Sequence, residues 1–241
     1  MAIAAWKRIE KSTGYQRLKT SLRRLIGTEL RLQIETGVAT IDHGGWCFTG
    51  QHLDQDSIIY SLGVGDDIDF DLAIIENFGA GVHAFDPTPS SIEMLSKADL
   101  PNKFHFHPWA ITAKNGTLKF YPRVKKDGSR SSVMFTMVVQ GNSVENAIEV
   151  PAFCLSSVAN KLGHTRIDLL KMDIEGAEYE VLEGLLDSPI KPTQLLVEFH
   201  HRFPGIGVRK TADIIKKLQQ VGYKIFAISE NGREVSFLLT I

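Results

Sequence analysis

What this chain has little of sets the first bounds. It has two cysteines in 241 residues, Cys47 and Cys154, with neither a C-x-x-C pair nor a zinc spacing. That excludes a disulfide framework and a cysteine-held structural zinc, and predicts two reduced, buried thiols. No apolar run approaches the roughly 18 residues a membrane span needs, so no transmembrane segment is expected. The start, Met1 to Trp6, is briefly apolar and then turns basic, without the apolar centre of a secretory signal, so a cytoplasmic location is expected. An excess of one charge is also lacking. The formal net charge is -1, which offers no general attraction for a polyphosphate and predicts no nucleic-acid partner. What is present is apolar: 43% hydrophobic against 23% charged residues supports a large core and argues against disorder. The length fits one α/β domain with an extension better than two full domains.

Residues 1–53 read as that extension and 54–241 as the domain. The first 30 residues carry Leu18, Leu22, Leu25 and Ile26 at helical spacing, with Gly27 as a stop. The polar side is basic, with Lys7, Arg8, Lys11, Arg17, Lys19, Arg23 and Arg24. The plain expectation is a helix docked on the core with a solvated face. The sharper ones are a partner or anionic-surface contact, or a lid. Residues 31–53 alternate around Gly44-Gly45, which predicts a short hairpin.

From Ser57 onward strand and helix signals alternate. Strands are predicted at Ile58 to Leu62, Val82 to Phe85, Phe104 to His107, Ile167 to Met172 and Gln194 to Phe199. Helices are predicted near 70–77, 90–97, 177–186 and 211–221. Repeated β-α units imply a parallel sheet with right-handed crossovers. Two last strands, Lys224 to Ser229 and Val235 to Ile241, flank Asn231-Gly232 and predict an antiparallel hairpin that closes the sheet. Between the third and fourth of the predicted parallel strands, 112–153 holds β-like pieces and a loop at Lys125-Lys126-Asp127-Gly128.

Three segments carry chemistry. The first βα turn, Ser61-Leu62-Gly63-Val64-Gly65-Asp66-Asp67, allows close backbone approach to a ligand. Asp86, 21 positions after Gly65, ends the next strand, where an acid can accept both hydroxyls of a ribose. Asp66 and Asp67 would repel a pyrophosphate by on the order of a kcal/mol or more per close contact, yet tolerate an ammonium or sulfonium. That favours S-adenosylmethionine over a nicotinamide dinucleotide, although either aspartate could simply cap the helix. The second segment places Asp173 at the end of a buried strand. The third places Glu198 and His200 on one face of a strand end, beside Asp173 if the two strands are neighbours. His200 could act as a general base, the three could hold a divalent metal, or they could pair structurally. Nothing in the spacing forces a metal, so none is expected.

These segments resemble a known family. Tyr60 to Asp67, Phe85-Asp86-Pro87, the block Lys171-Met172-Asp173-Ile174-Glu175-Gly176-Ala177-Glu178, and Glu198-Phe199-His200 are similar to the FkbM-type methyltransferases over roughly residues 57–240. The resemblance implies a Rossmann-like class I methyltransferase fold, S-adenosyl-L-methionine as donor, and O-methylation of a small molecule or carbohydrate. It implies that Gly63, Gly65 and Asp86 line the donor site and that Trp109-Ala110 lies near the adenine. Ser61 and Asp67 depart from the commoner turn, which has an acid and a third glycine there. Acceptor specificity would sit around Arg130-Ser131-Ser132 and the N-terminal hairpin. The competing readings are a nicotinamide-dependent oxidoreductase and a non-catalytic module that kept the fold.

Overall fold

The computed structural model describes residues 13–124, 130–136 and 147–240. Basic positions Lys7, Arg8 and Lys11 and the expected loop at 125–128 lie outside the described residues. The leading elements are α1 (Thr13–Leu25), β1 (Ile41–His43) and β2 (Trp46–Phe48). Then follow β3 (Ile58–Leu62), α2 (Asp69–Phe78), β4 (Gly81–Phe85), α3 (Pro89–Lys97) and β5 (Phe104–His107). A middle section holds β6 (Ala110–Ile111), β7 (Gly116–Val124), β8 (Arg130–Thr136) and β9 (Ile148–Phe153). The chain continues with α4 (Leu155–Leu162), β10 (Leu169–Met172), α5 (Glu178–Leu186), β11 (Gln194–Glu198), α6 (Gly207–Gln220), β12 (Tyr223–Ile228) and β13 (Glu234–Leu239).

The main sheet has seven strands in the order β12-β13-β11-β10-β3-β4-β5. Strands β3, β4, β5, β10 and β11 run parallel, and β13 is antiparallel to both of its neighbours. The central strands are apolar on both faces because helices cover both. Leu62, Leu170 and Val197 meet Val158 of α4, Leu182 of α5 and Leu218 of α6. On the other face Ile59, Leu169 and Leu196 meet Ile74 of α2 and Leu95 of α3. The expected closing hairpin is present, with Gly232 in the left-handed region at φ 80°. Its outer partner is β12, so β13 is inserted beside β11, a swap that local pattern does not encode.

The β1–β2 hairpin is present as expected and turns at Gly44-Gly45. Phe48 is 1% exposed and meets Phe70 and Phe78 edge-on, at 5.6 and 6.2 Å between centroids. Burying such a ring contributes roughly 2–3 kcal/mol. The buried Gln194 side chain clamps the hairpin's end: its amide donates to Thr49 O (2.8 Å), and the Thr49 N–H donates to its oxygen (3.0 Å). Strands β6 to β9 form a separate four-stranded sheet, where the sequence pattern showed only disconnected β-like pieces.

Helix α1 differs from the plain expectation. Leu18, Leu22, Leu25 and Ile26 are 55–74% exposed, while Thr20 is buried and donates to Glu230 O (3.1 Å). Polar contacts anchor this helix, including Arg17 to Glu230 (2.9 Å) and Arg24 Nε to Leu30 O (3.0 Å), and they turn the apolar stripe outward. Both cysteines are free, but half-buried rather than buried. No helix among the described residues is long and apolar enough to cross a membrane.

Candidate functional site

The sheet geometry brings the ends of β3, β4, β10 and β11 to one edge. Gly63 leaves β3 at φ 76°, and a Cβ there would lie 1.7 Å from the carbonyl oxygen of Asp173. No other residue fits, which locks the first turn against the end of β10. Gly65, at φ 62°, has open space where its Cβ would be. Its N–H donates to Asp86 Oδ2 (2.9 Å), and Asp86 Oδ1 accepts from the Thr88 N–H (2.8 Å) and hydroxyl (2.6 Å). Asp86 therefore already ties the first turn to the end of β4, and a ribose would share a carboxylate that is partly committed. Asp67 Oδ1 accepts the Asp69 N–H (2.9 Å) in the turn just before α2, whose N-cap position is Ile68, and both Asp66 and Asp67 line the cleft.

Asp173, Glu198 and His200 converge. One ligand atom from each lies within 4.8 Å of the others. Strands β10 and β11 are hydrogen-bonded neighbours, with Met172 opposite Val197, so their following residues meet. His200 is 4% exposed, and its Nε2 faces Asp173 Oδ1 (3.7 Å), Glu175 Oε2 (3.7 Å) and Glu198 Oε1 (3.8 Å). Its other nitrogen, Nδ1, lies 3.2 Å from Glu178 Oε1, which also accepts the His200 backbone N–H at 2.8 Å. Burial opposes charge on His200, but Glu178, Asp173 and Glu175 outweigh it and push its pKa up to about 9. Burial, then Asp173, pushes Glu198 upward; the Arg233 guanidinium against its Oε1 pulls the other way. With nothing else bound, His200 thus keeps its proton at neutral pH, whereas a general base must first lose it. Glu175 sits at φ 51°, unusual for a residue with a side chain, in the turn that presents this cluster.

The cleft holds about 370 Å³ between the glycine turn, Asp86, the acidic cluster and the hairpin tip Gly44 to Trp46. A smaller hollow of about 70 Å³ adjoins it and shares Gly63, Asp86 and Asp173. Phe85, Trp109, Ala110, Ile111 and Phe120 line this hollow, so Trp109 and Ala110 lie beside the cleft rather than in it. Of the residues singled out in the sequence for the site, all but His200 line one of these two contiguous cavities; His200 is buried behind Asp173, Glu175 and Glu198.

Several cleft residues escaped the sequence reading. Lys171, 4% exposed, points from β10 toward Ser61 Oγ (3.4 Å) and Gly63 O (3.5 Å), under the Trp46 ring at 5.1 Å. Nearby Asp71 is fully buried beside Ser61 and Lys171. Burial raises its pKa, and the charge of Lys171 opposes that. A signal for Lys171 existed: a lysine inside the otherwise apolar run Leu169-Leu170-Lys171-Met172 needs a reason to be buried. Trp46 and Glu234 gave none, because they arrive from distant hairpins.

A profile of the Methyltransferase FkbM domain matches residues 51–225. The chain belongs to the FkbM methyltransferase family. Its sheet order and two-sided helix layers are those of a Rossmann-like α/β methyltransferase fold. Over 179 residues it is 29% identical to human "Probable methyltransferase-like protein 24", covering 70% of this chain and 41% of that protein. The rat protein of the same name is 28% identical over 184 residues, with 42% of its length covered. The chain thus spans about two fifths of the length of these curated relatives. Among solved structures it is similar to the methyltransferase FkbM from Methylobacillus flagellatus (TM-score 0.47, 13% identity, 78% of this chain and 45% of that one). It is also similar to Aeropyrum pernix fibrillarin with natively bound S-adenosyl-L-methionine (TM-score 0.40, 10% identity, 78% and 67%).

Proposed function

We propose that this FkbM-family chain is an S-adenosyl-L-methionine-dependent methyltransferase acting on a hydroxyl of a small molecule or carbohydrate. The observation that carries this reading is the continuity of two unlike cavities across Gly63 and Asp86. The apolar hollow at Phe85, Trp109 and Ile111 suits a flat adenine. Asp86 sits at the shared wall, in reach of a ribose. The open side of Gly65 then lets an aminoacyl chain run over the turn toward Asp66 and the acidic cluster. Carboxylates facing that path favour an ammonium and a sulfonium, and would repel the pyrophosphate of a nicotinamide dinucleotide.

Bound there, the donor supplies an already activated methyl group. The chain's part is alignment: the hairpin tip and the strand ends leave an open region beside Asp173 and Glu198 for the acceptor. In the transfer, the hydroxyl proton passes to water and the oxygen's electron pair bonds the methyl carbon. The C–S pair returns to sulfur and leaves a neutral thioether. Calorimetry with S-adenosylhomocysteine and with NAD tests the donor. Binding of the first, with a raised melting temperature, is expected; binding of NAD alone would overturn the reading. Asp86→Ala should weaken donor binding by roughly 1.5–3 kcal/mol, with Asp86→Asn milder. Unchanged affinity in Asp86→Ala would remove Asp86 from the donor site.

A further inference from the structure

The acidic cluster contains more than carboxylates, and its histidine is arranged in a particular way. His200 is buried against Glu178, whose side chain is fully buried and whose Oε2 is itself held by the Gly176 N–H at 2.8 Å. That arrangement points Nδ1 at a carboxylate and leaves Nε2 facing Asp173, Glu175 and Glu198 at 3.7–3.8 Å, all beyond hydrogen-bond reach. A carboxylate behind a histidine, fixing its tautomer and aim, is the usual outer shell of a metal-ligating imidazole. The ligand atoms of Asp173, Glu198 and His200 already lie within 4.8 Å of one another. Ligands about 2.1 Å from one ion sit about 3 Å apart, so modest side-chain closure would complete the set. Glu175 and Glu178 add further carboxylates around His200, and Arg233 stands beside Glu198 and Glu234.

We infer that Asp173, Glu198 and His200 form a divalent-cation site at the acceptor end of the cleft. Two carboxylates with one imidazole suit manganese or a similar cation better than a soft metal. Three protein ligands leave positions for the oxygen atoms of an acceptor. A cation there would draw in the acceptor's hydroxyl and ease loss of its proton. That role rests on the methyltransferase reading; the site itself does not. It departs from the metal-free expectation drawn from spacing, because spacing along the chain could not show Glu178 standing behind His200.

The test uses the full chain, freed of metal by chelator and dialysis, and titrated with Mn²⁺ alone. Electron paramagnetic resonance should show one Mn²⁺ bound per chain. Spin-echo modulation should carry the nitrogen coupling of a directly bound imidazole. His200→Gln and Asp173→Asn should each weaken binding at least 10-fold, while Glu93→Gln, at an exposed side chain of α3, should leave it unchanged. Absence of the nitrogen coupling in the wild-type chain would overturn the assignment even if the variants fail to fold. No stoichiometric Mn²⁺, with S-adenosylhomocysteine still binding, would remove the cation and leave the methyltransferase reading standing.

Discussion

Half-buried histidines at one edge of the sheet and the buried His200 at its strand ends are driven to opposite charge states. At the β4–β5 edge, His83 Nδ1 meets His107 Nε2 at 3.1 Å, and His83 stacks on His105 at 4.8 Å. His164 stands edge-on to His83 at 4.6 Å, with Nδ1 bonded to the Tyr60 hydroxyl at 2.8 Å. Burial and then the neighbouring histidines push His83 down to about 3 and His107 down to about 4. His200, at the ends of β10 and β11, is more deeply buried yet pushed up to about 9. Burial has the same sign in both places. What differs is the company: aromatic rings and other imidazoles at the edge, carboxylates at the cleft. Burial alone therefore does not predict a histidine's charge; the sign follows from which groups share its cavity.

The largest expected effect comes from removing the carboxylate that separates the two cases. Glu178→Ala strips His200 of its buried partner and orphans the N–H groups of Gly176 and His200. Unfolding in urea should show a loss of about 3–5 kcal/mol. A loss under about 1 kcal/mol would mean that Glu178 does not hold the histidine, and the contrast would collapse.

A middle-sized effect should appear on the acid side. His83 and His107 titrate lower in the folded chain than the ordinary value near 6.5. As pH falls below about 6.5 the unfolded chain takes up these protons first, so stability drops from there toward pH 3–4. The slope is at most about 1.4 kcal/mol per pH unit per group. Allowing for partial exposure, about 1–2 kcal/mol should be lost between pH 6.5 and 4. His83→Phe keeps the ring stacking and should flatten that limb in thermal melts across pH. An unchanged slope would show that the edge histidines titrate normally.

The smallest effect belongs to a region that neither cluster touches. Leu22 on α1 is 55% exposed, so Leu22→Ser should change stability by no more than about 0.5 kcal/mol. A loss of 2 kcal/mol would mean that the apolar stripe is covered in the folded chain.

Much of this architecture could be read along the chain because it rests on short-range rules. Ile58 to Leu62 and Phe104 to His107 coincide with the observed strands, and Gly79 ends α2 in the left-handed conformation. Asn231-Gly232 marked the last hairpin, and carboxylates at strand ends marked the cleft. Period, turn chemistry and strand ends are properties of a few neighbouring residues, so sequence by itself determined them. Long-range placement decided the rest. Pairing put β13 between β11 and β12, carried Trp46 over Lys171, and set the Thr20 side of α1 inward with its leucines outward. The same is true of charge. His83 and His200 are the same residue type, and the tertiary structure, by surrounding one with imidazoles and the other with carboxylates, fixes the electrostatic field each one feels.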